Sequence, residues 1–99
     1  MTKSDQLARN AEEVARILKQ LAHPVRLKIL CCLEENEKTV THIVEHSGAS
    51  QSWVSQFLAR MKLEGLIASR REGSFVYYRI ADPRLSRLLK SVREIYCKE

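Results

Sequence analysis

Residues 39–80, TVTHIVEHSGASQSWVSQFLARMKLEGLIASRREGSFVYYRI, carry the pattern that decides the fold. Thr39 is placed as the N-cap of a short helix from Val40 to His46, with Ile43 and Val44 inward, and Ser47-Gly48 closes it on a residue suited to a left-handed turn. Ser50 caps the next helix, which puts Val54, Leu58 and Met61 on one face and ends near Glu64 at Gly65. Two helices across a turn of about four residues have the spacing of a helix-turn-helix. Beyond Gly65 the period changes from helical to alternating: Leu66 to Arg71 and Ser74 to Ile80 are β-branched and aromatic runs about a Glu72-Gly73 turn, which predicts a hairpin.

Working outward, Leu7, Ala11, Val14, Ile17, Leu18 and Leu21 recur at three- and four-residue spacing, predicting one amphipathic helix over about 4–21. His23-Pro24 interrupts it, since proline suits a first helical turn and not an interior. Val25 to Glu35 is apolar on most sides, as a central helix must be. Asp82-Pro83 pairs a cap with an N1 proline, and Leu85, Leu88, Leu89, Val92, Ile95 and Tyr96 make one stripe along a last helix over about 83–97. The expected architecture is mainly α with a β-hairpin wing: four helices, the hairpin and a fifth helix in a single domain over 1–99, the helix-turn-helix at about 39–64 and the wing at about 66–80. The first and last helices carry more apolar surface than so small a core can bury. Pairing them in a homodimer would set two recognition helices roughly 34 Å apart on one duplex face.

Size and composition agree. At 99 residues, 44% hydrophobic and 29% charged, the chain suits one modest soluble domain. Its net charge of +5 lies wholly beyond residue 50, which fits a polyanionic partner. No apolar run reaches the roughly 18 residues of a membrane span, and Met1 to Gln6 lack the apolar core of a secretory signal, so a cytoplasmic protein with no membrane partner is expected. No Gly-rich phosphate loop, paired carboxylates or Ser/His/Asp set points to an enzyme, and no cofactor is implied.

If the second helix of the pair enters a major groove, the side chains opposite Val54, Leu58 and Met61 face double-stranded promoter DNA. These are Gln51, Ser52, Ser55, Gln56, Arg60 and Lys62. Glutamine pairs bidentately with adenine, serine donates or accepts, and Arg60 and Lys62 suit phosphates. Arg70, Arg71 and Ser74 flank the wing tip. Trp53 is expected half-buried against the preceding helix, the alternative being contact with a thymine methyl or a sugar.

Ala22 to Leu30 (AHPVRLKIL), Ser50 to Leu58 (SQSWVSQFL), Gly65-Leu66-Ile67 and Val76 to Ile80 (VYYRI) together resemble the ArsR, or SmtB/ArsR, family of repressors. The resemblance implies a homodimeric winged helix-turn-helix regulator whose operator affinity follows an inducer. Arsenite and cadmium sensors of that family carry Cys-x-Cys, whereas Cys31 and Cys32 are adjacent, about 100° apart around a helix, which makes joint chelation awkward. Zinc and nickel sensors carry histidines on the last helix, and 82–99 has none. His42 and His46, four apart, have a spacing that can hold zinc, but with no cysteine or carboxylate fixed nearby they are expected to be exposed and metal-free. His23 is expected to start the helix that Pro24 opens.

The placement of Cys31 and Cys97 is similar to the sulfide- and persulfide-responsive branch of the family. There a cysteine on the second helix and one near the end of the last become joined by a disulfide or polysulfide bridge. The resemblance therefore implies a reactive sulfur or oxidant species as inducer, with Cys32 an additional neighbouring thiol, so that either of the two adjacent cysteines could stand at the reactive position. Read from the residues alone, Cys31 and Cys32 are small buried apolar groups and Cys97 a helix end, and it is the resemblance that turns the reading toward a switch; thiolate binding of arsenite or a soft metal is the alternative input. The helix C-terminus at Cys97 disfavours a thiolate, and Lys98 favours one.

Overall fold

A computed structural model describes residues 2–97, so Met1, Lys98 and Glu99 lie outside the described residues. The elements run α1 (Lys3–Arg9), α2 (Ala11–Leu21), α3 (Pro24–Glu35), β1 (Lys38–Thr39), α4 (Val40–Ser47), α5 (Gln51–Leu63), β2 (Ile67–Glu72), β3 (Phe75–Ile80) and α6 (Pro83–Tyr96). None of these helices is long and apolar enough to cross a membrane.

The capping chemistry read from sequence sets the boundaries. Thr39, Ser50 and Asp82 accept from the backbone N–H groups of His42, Trp53 and Arg84, and His23 Nδ1 accepts from Val25 N–H at 3.2 Å, capping α3 ahead of Pro24. Gly48 ends α4 at φ 72°. At the end of α5, Gly65 N–H donates to Lys62 O and Leu66 N–H to Met61 O, a Schellman closure that turns the chain into β2.

Three features differ from the sequence expectation. The amphipathic stretch over 4–21 is two helices: Asn10 has φ −97° and ψ 9°, and α1 buries no residue, so no packing holds the two pieces collinear. Residues 38–39 add a third strand, giving the antiparallel order β1-β3-β2 with Lys38 opposite Tyr78 and Thr39 opposite Tyr77. The hairpin turn is Gly73-Ser74, one residue later than expected, because Glu72 pairs with Phe75. Gly73 takes φ 62° while no non-glycine among the described residues is positive, so glycine occupies the first central position, as a type II′ turn requires.

The core lies where α3 meets α4, α5, the sheet and α6, and it comprises chiefly Ile29, Leu30, Leu33, Ile43, Val54, Leu58, Met61, Leu66, Ile67, Leu85 and Leu89. Because α3 is buried on several sides, it touches both the helix-turn-helix and the last helix. Leu7, Leu18, Ile95 and Tyr96 stay exposed on α1, α2 and α6.

Candidate DNA interface and thiol cleft

Helix α5 buries Val54, Phe57, Leu58 and Met61 and leaves the opposite face to solvent. Gln51 and Ser55 form one exposed row, and Ser52, Gln56 and Arg60 a second beside it, each at the four-residue spacing that aligns side chains on a helix. Lys62 is also exposed, and its Nζ donates to Ser69 Oγ at 2.7 Å, bracing the helix against β2. Arg60 Nε lies 3.4 Å from Glu64 one turn on, an exposed pair that leaves it free to reorganise.

The two wing arginines are not equivalent. Arg70 is held by Glu37, to whose Oε2 its Nε donates at 2.9 Å, and by Glu72 at 2.7 Å, with its guanidinium 4.8 Å from the centre of the Tyr77 ring. These bonds keep the Glu37 carboxyl below the usual carboxylate range and the Arg70 guanidinium well above its own. Arg71 is exposed, and it forms no ion pair among the described residues. Ser74 sits exposed at the turn itself.

Trp53 departs from expectation. It is 57% exposed, and its ring lies tilted at 5.5 Å from Phe57 of its own helix. The Phe57 ring is also met edge-on by His23 at 5.0 Å, and Arg26 lies over it at 5.1 Å. A large aromatic therefore stands at the exposed start of α5.

A second site opens between α3 and α6. A cleft of about 610 Å³ is lined by Cys31, Cys32, His42, His46, Tyr96 and Cys97 among others. All three cysteines are free thiols: Cys31 half-buried, Cys32 buried and Cys97 exposed. Burial, then the neighbouring Cys97 and Glu34, push the Cys31 thiol up, with Arg93 acting the other way. Burial likewise raises Cys32, partly offset by Lys38. Lys38 Nζ donates to the Cys32 and Asn36 carbonyls at 3.3 and 3.2 Å, placing a cation on the end of α3. Arg93 fixes α6 to α3: its Nε lies 3.1 Å from Glu34 Oε2 without the alignment of a hydrogen bond, while Nη2 donates to Oε1 at 3.4 Å. Cys97 is the C-cap of α6, its N–H donating to Arg93 O at 2.8 Å. Lys98, expected to favour a thiolate there, lies outside the described residues.

The histidine expectation needs correction in its premise. Ligand atoms of His42, His46 and Cys32 all lie within 4.8 Å of one another. Sequence spacing relates the two histidines but says nothing of Cys32, which α3 supplies from across a helix contact.

Residues 23–69, from the cap of α3 into β2, match the family described as bacterial regulatory protein, arsR family. The chain is 38% identical over 98 residues to the HTH-type transcriptional regulator YgaV of Escherichia coli K12, spanning 98% of this chain and 99% of that one. The chain belongs to the ArsR family. It is a DNA-binding transcription regulator with that family's winged helix-turn-helix. The crystal structure of the transcriptional repressor BigR from Xylella fastidiosa superposes with a TM-score of 0.87 over the whole of both chains at 33% identity. The winged helix-turn-helix domain of Mb0332 from Mycobacterium bovis, described as homodimeric, is 38% identical with a TM-score of 0.73 over 94% of this chain and 86% of that one. In this ArsR-family chain Cys97 falls outside the matched span, at the far end of α6.

Proposed function

We infer that this ArsR-family chain works as a homodimeric repressor or anti-repressor on an imperfectly palindromic promoter operator, switched by thiol chemistry between Cys31 and Cys97. One observation carries the input: two cysteines sixty-six residues apart in sequence line one cleft, one half-buried on α3 and one exposed at the end of α6. The exposed apolar side chains of α1, α2 and α6, together with the homodimeric Mb0332, support pairing through the outer helices.

Exposure sets the order of events. The accessible Cys97 thiolate takes the outer sulfur of a persulfide RSSH, releasing RSH and leaving Cys97–S–SH. The Cys31 thiolate then attacks the Cys97 sulfur and expels hydrosulfide, forming the disulfide. The two thiols lose two electrons, and the donor is reduced to RSH and hydrogen sulfide. If both cysteines first become persulfides, their condensation loses one hydrogen sulfide and leaves a trisulfide. Either bridge ties the end of α6 to α3, which also packs on α4, so the cross-link acts on the dimer helices and on the helix-turn-helix together. Gln51, Ser52, Ser55 and Gln56 would read base edges, and Arg60, Lys62, Arg70, Arg71 and Ser74 the backbone.

Mass spectrometry of reduced protein treated with a persulfide donor should show a Cys31–Cys97 cross-link, in part with added sulfur, together with a change in operator affinity. Cys31→Ser and Cys97→Ser should each abolish both. Unmodified protein, or modification with unchanged affinity, would overturn the switch while leaving the DNA-binding fold intact. Arsenite titration of the same variants tests the thiolate-ligand alternative.

A further inference from the structure

The cleft contains a ligand set that the dithiol chemistry leaves unused. Cys32 lines it from α3, buried to 6% exposure, and the switch proposed for Cys31 and Cys97 does not use it. Above it His42 and His46 project from successive turns of α4, their rings stacked with centroids 5.9 Å apart and planes within 14°. All three donor atoms lie within 4.8 Å of one another. We propose that Cys32, His42 and His46 form a binding site for a borderline divalent transition-metal cation, zinc being the natural occupant, which clamps α3 to the first helix of the helix-turn-helix.

The chemistry of the set selects the ion. One thiolate and two imidazoles suit zinc or cobalt(II) and are poor ligands for magnesium or calcium, which take oxygen. A tetrahedral zinc with bonds of about 2.0–2.3 Å holds its donors roughly 3.3–3.7 Å apart, so donors as much as 4.8 Å apart must close by at most about 1.1–1.5 Å. The two histidines are exposed, so rotation about their side-chain bonds supplies that closure without moving α4. The fourth position faces the open cleft and falls to water. Glu35, which also lines the cleft, offsets the positive charge of Lys38 beside it. Binding releases the Cys32 thiol proton to solvent and oxidises nothing. Adjacency of Cys31 and Cys32 then serves two ends: side chains about 100° apart on one helix turn are directed to different partners, Cys31 to Cys97 and Cys32 to the histidines.

Cobalt(II) titration of the reduced full-length protein should give thiolate-to-metal charge-transfer absorption and the ligand-field bands of a tetrahedral ion at one equivalent. Zinc should then displace the cobalt stoichiometrically. His42→Ala and His46→Ala, at exposed positions that leave the core intact, should each weaken binding by at least roughly 100-fold, more than loss of an outer-shell partner costs. Cys32→Ala should remove the charge-transfer band. The double variant Cys31→Ser/Cys97→Ser should bind as wild type does. Wild-type affinity in either histidine variant, or loss of the charge-transfer band in the double variant, would overturn the site. Because the dithiol switch is read by cross-linking at Cys31 and Cys97, failure of one leaves the other standing.

Discussion

At the scale of single residues, the wing shows how neighbours divide labour between similar side chains. Arg70 and Arg71 are consecutive on a strand and so point to opposite faces. Arg70 turns to Glu37, Glu72 and the Tyr77 ring, whereas Arg71 meets no counter-charge among the described residues. Arg71→Ala should therefore weaken operator binding and lower the slope of log affinity against log salt by about 1, whereas Arg70→Ala should change the slope less and the wing's stability more. Equal slopes for the two variants would remove the distinction. Acid titration tests the other side of the pair. The folded-state carboxyl of Glu37 is held below its unfolded value, so its contribution is complete above the ordinary carboxylate range and is lost as pH falls through the folded value. Glu37→Gln should thus lower the melting temperature slightly at neutral pH, and the gap to wild type should close on acidification. A gap independent of pH would show that Glu37 acts through packing. The pairing itself was not legible in the sequence, where Arg70 and Glu37 stand 33 residues apart.

At the scale of elements, most of the helices were legible because their ends carry their own chemistry. Thr39, Ser50 and Asp82 cap as expected, and Gly48 and Gly65 terminate as expected, since a cap is a local bond between a side chain and a backbone group two or three residues away. What escaped lacks a local signal. A two-residue strand at 38–39 has no period, and it exists because β3 offers it an edge. The break at Asn10 comes where α1 buries no residue within its own protomer, a fact about the rest of the fold. The recognition helix is held from beneath by Leu58, 1% exposed between α5 and the core. Leu58→Ala should cost about 2–5 kcal/mol, a deleted side chain plus the cavity it leaves. Chemical denaturation reads that loss directly. A cost below about 0.5 kcal/mol, the range of a surface change, would mean that α5 is not anchored there.

At the scale of the whole molecule, both candidate sites are made by contacts between elements, which explains their uneven legibility. The rows proposed to face DNA lie on one helix and follow from its buried face. The thiol cleft joins α3 to α6, and the Cys32, His42 and His46 cluster joins α3 to α4, so spacing alone exposed only the histidine pair. The dimer proposed above belongs to the same scale. Leu18 is 48% and Ile95 60% exposed on α2 and α6, well above what isolated core-type residues need. If these helices pair across a two-fold axis, a charge at either position is buried twice in each dimer, once per protomer. Leu18→Glu and Ile95→Glu should therefore shift sedimentation from dimer toward monomer with little change in helix content. Operator affinity should fall at least roughly 100-fold, because a monomer loses the effective concentration that ties the second half-site to the first. Affinity for an isolated half-site should stay near that of wild type, which separates loss of dimer from loss of fold. A variant that remains dimeric and binds the full operator as wild type does would place the partner surface elsewhere.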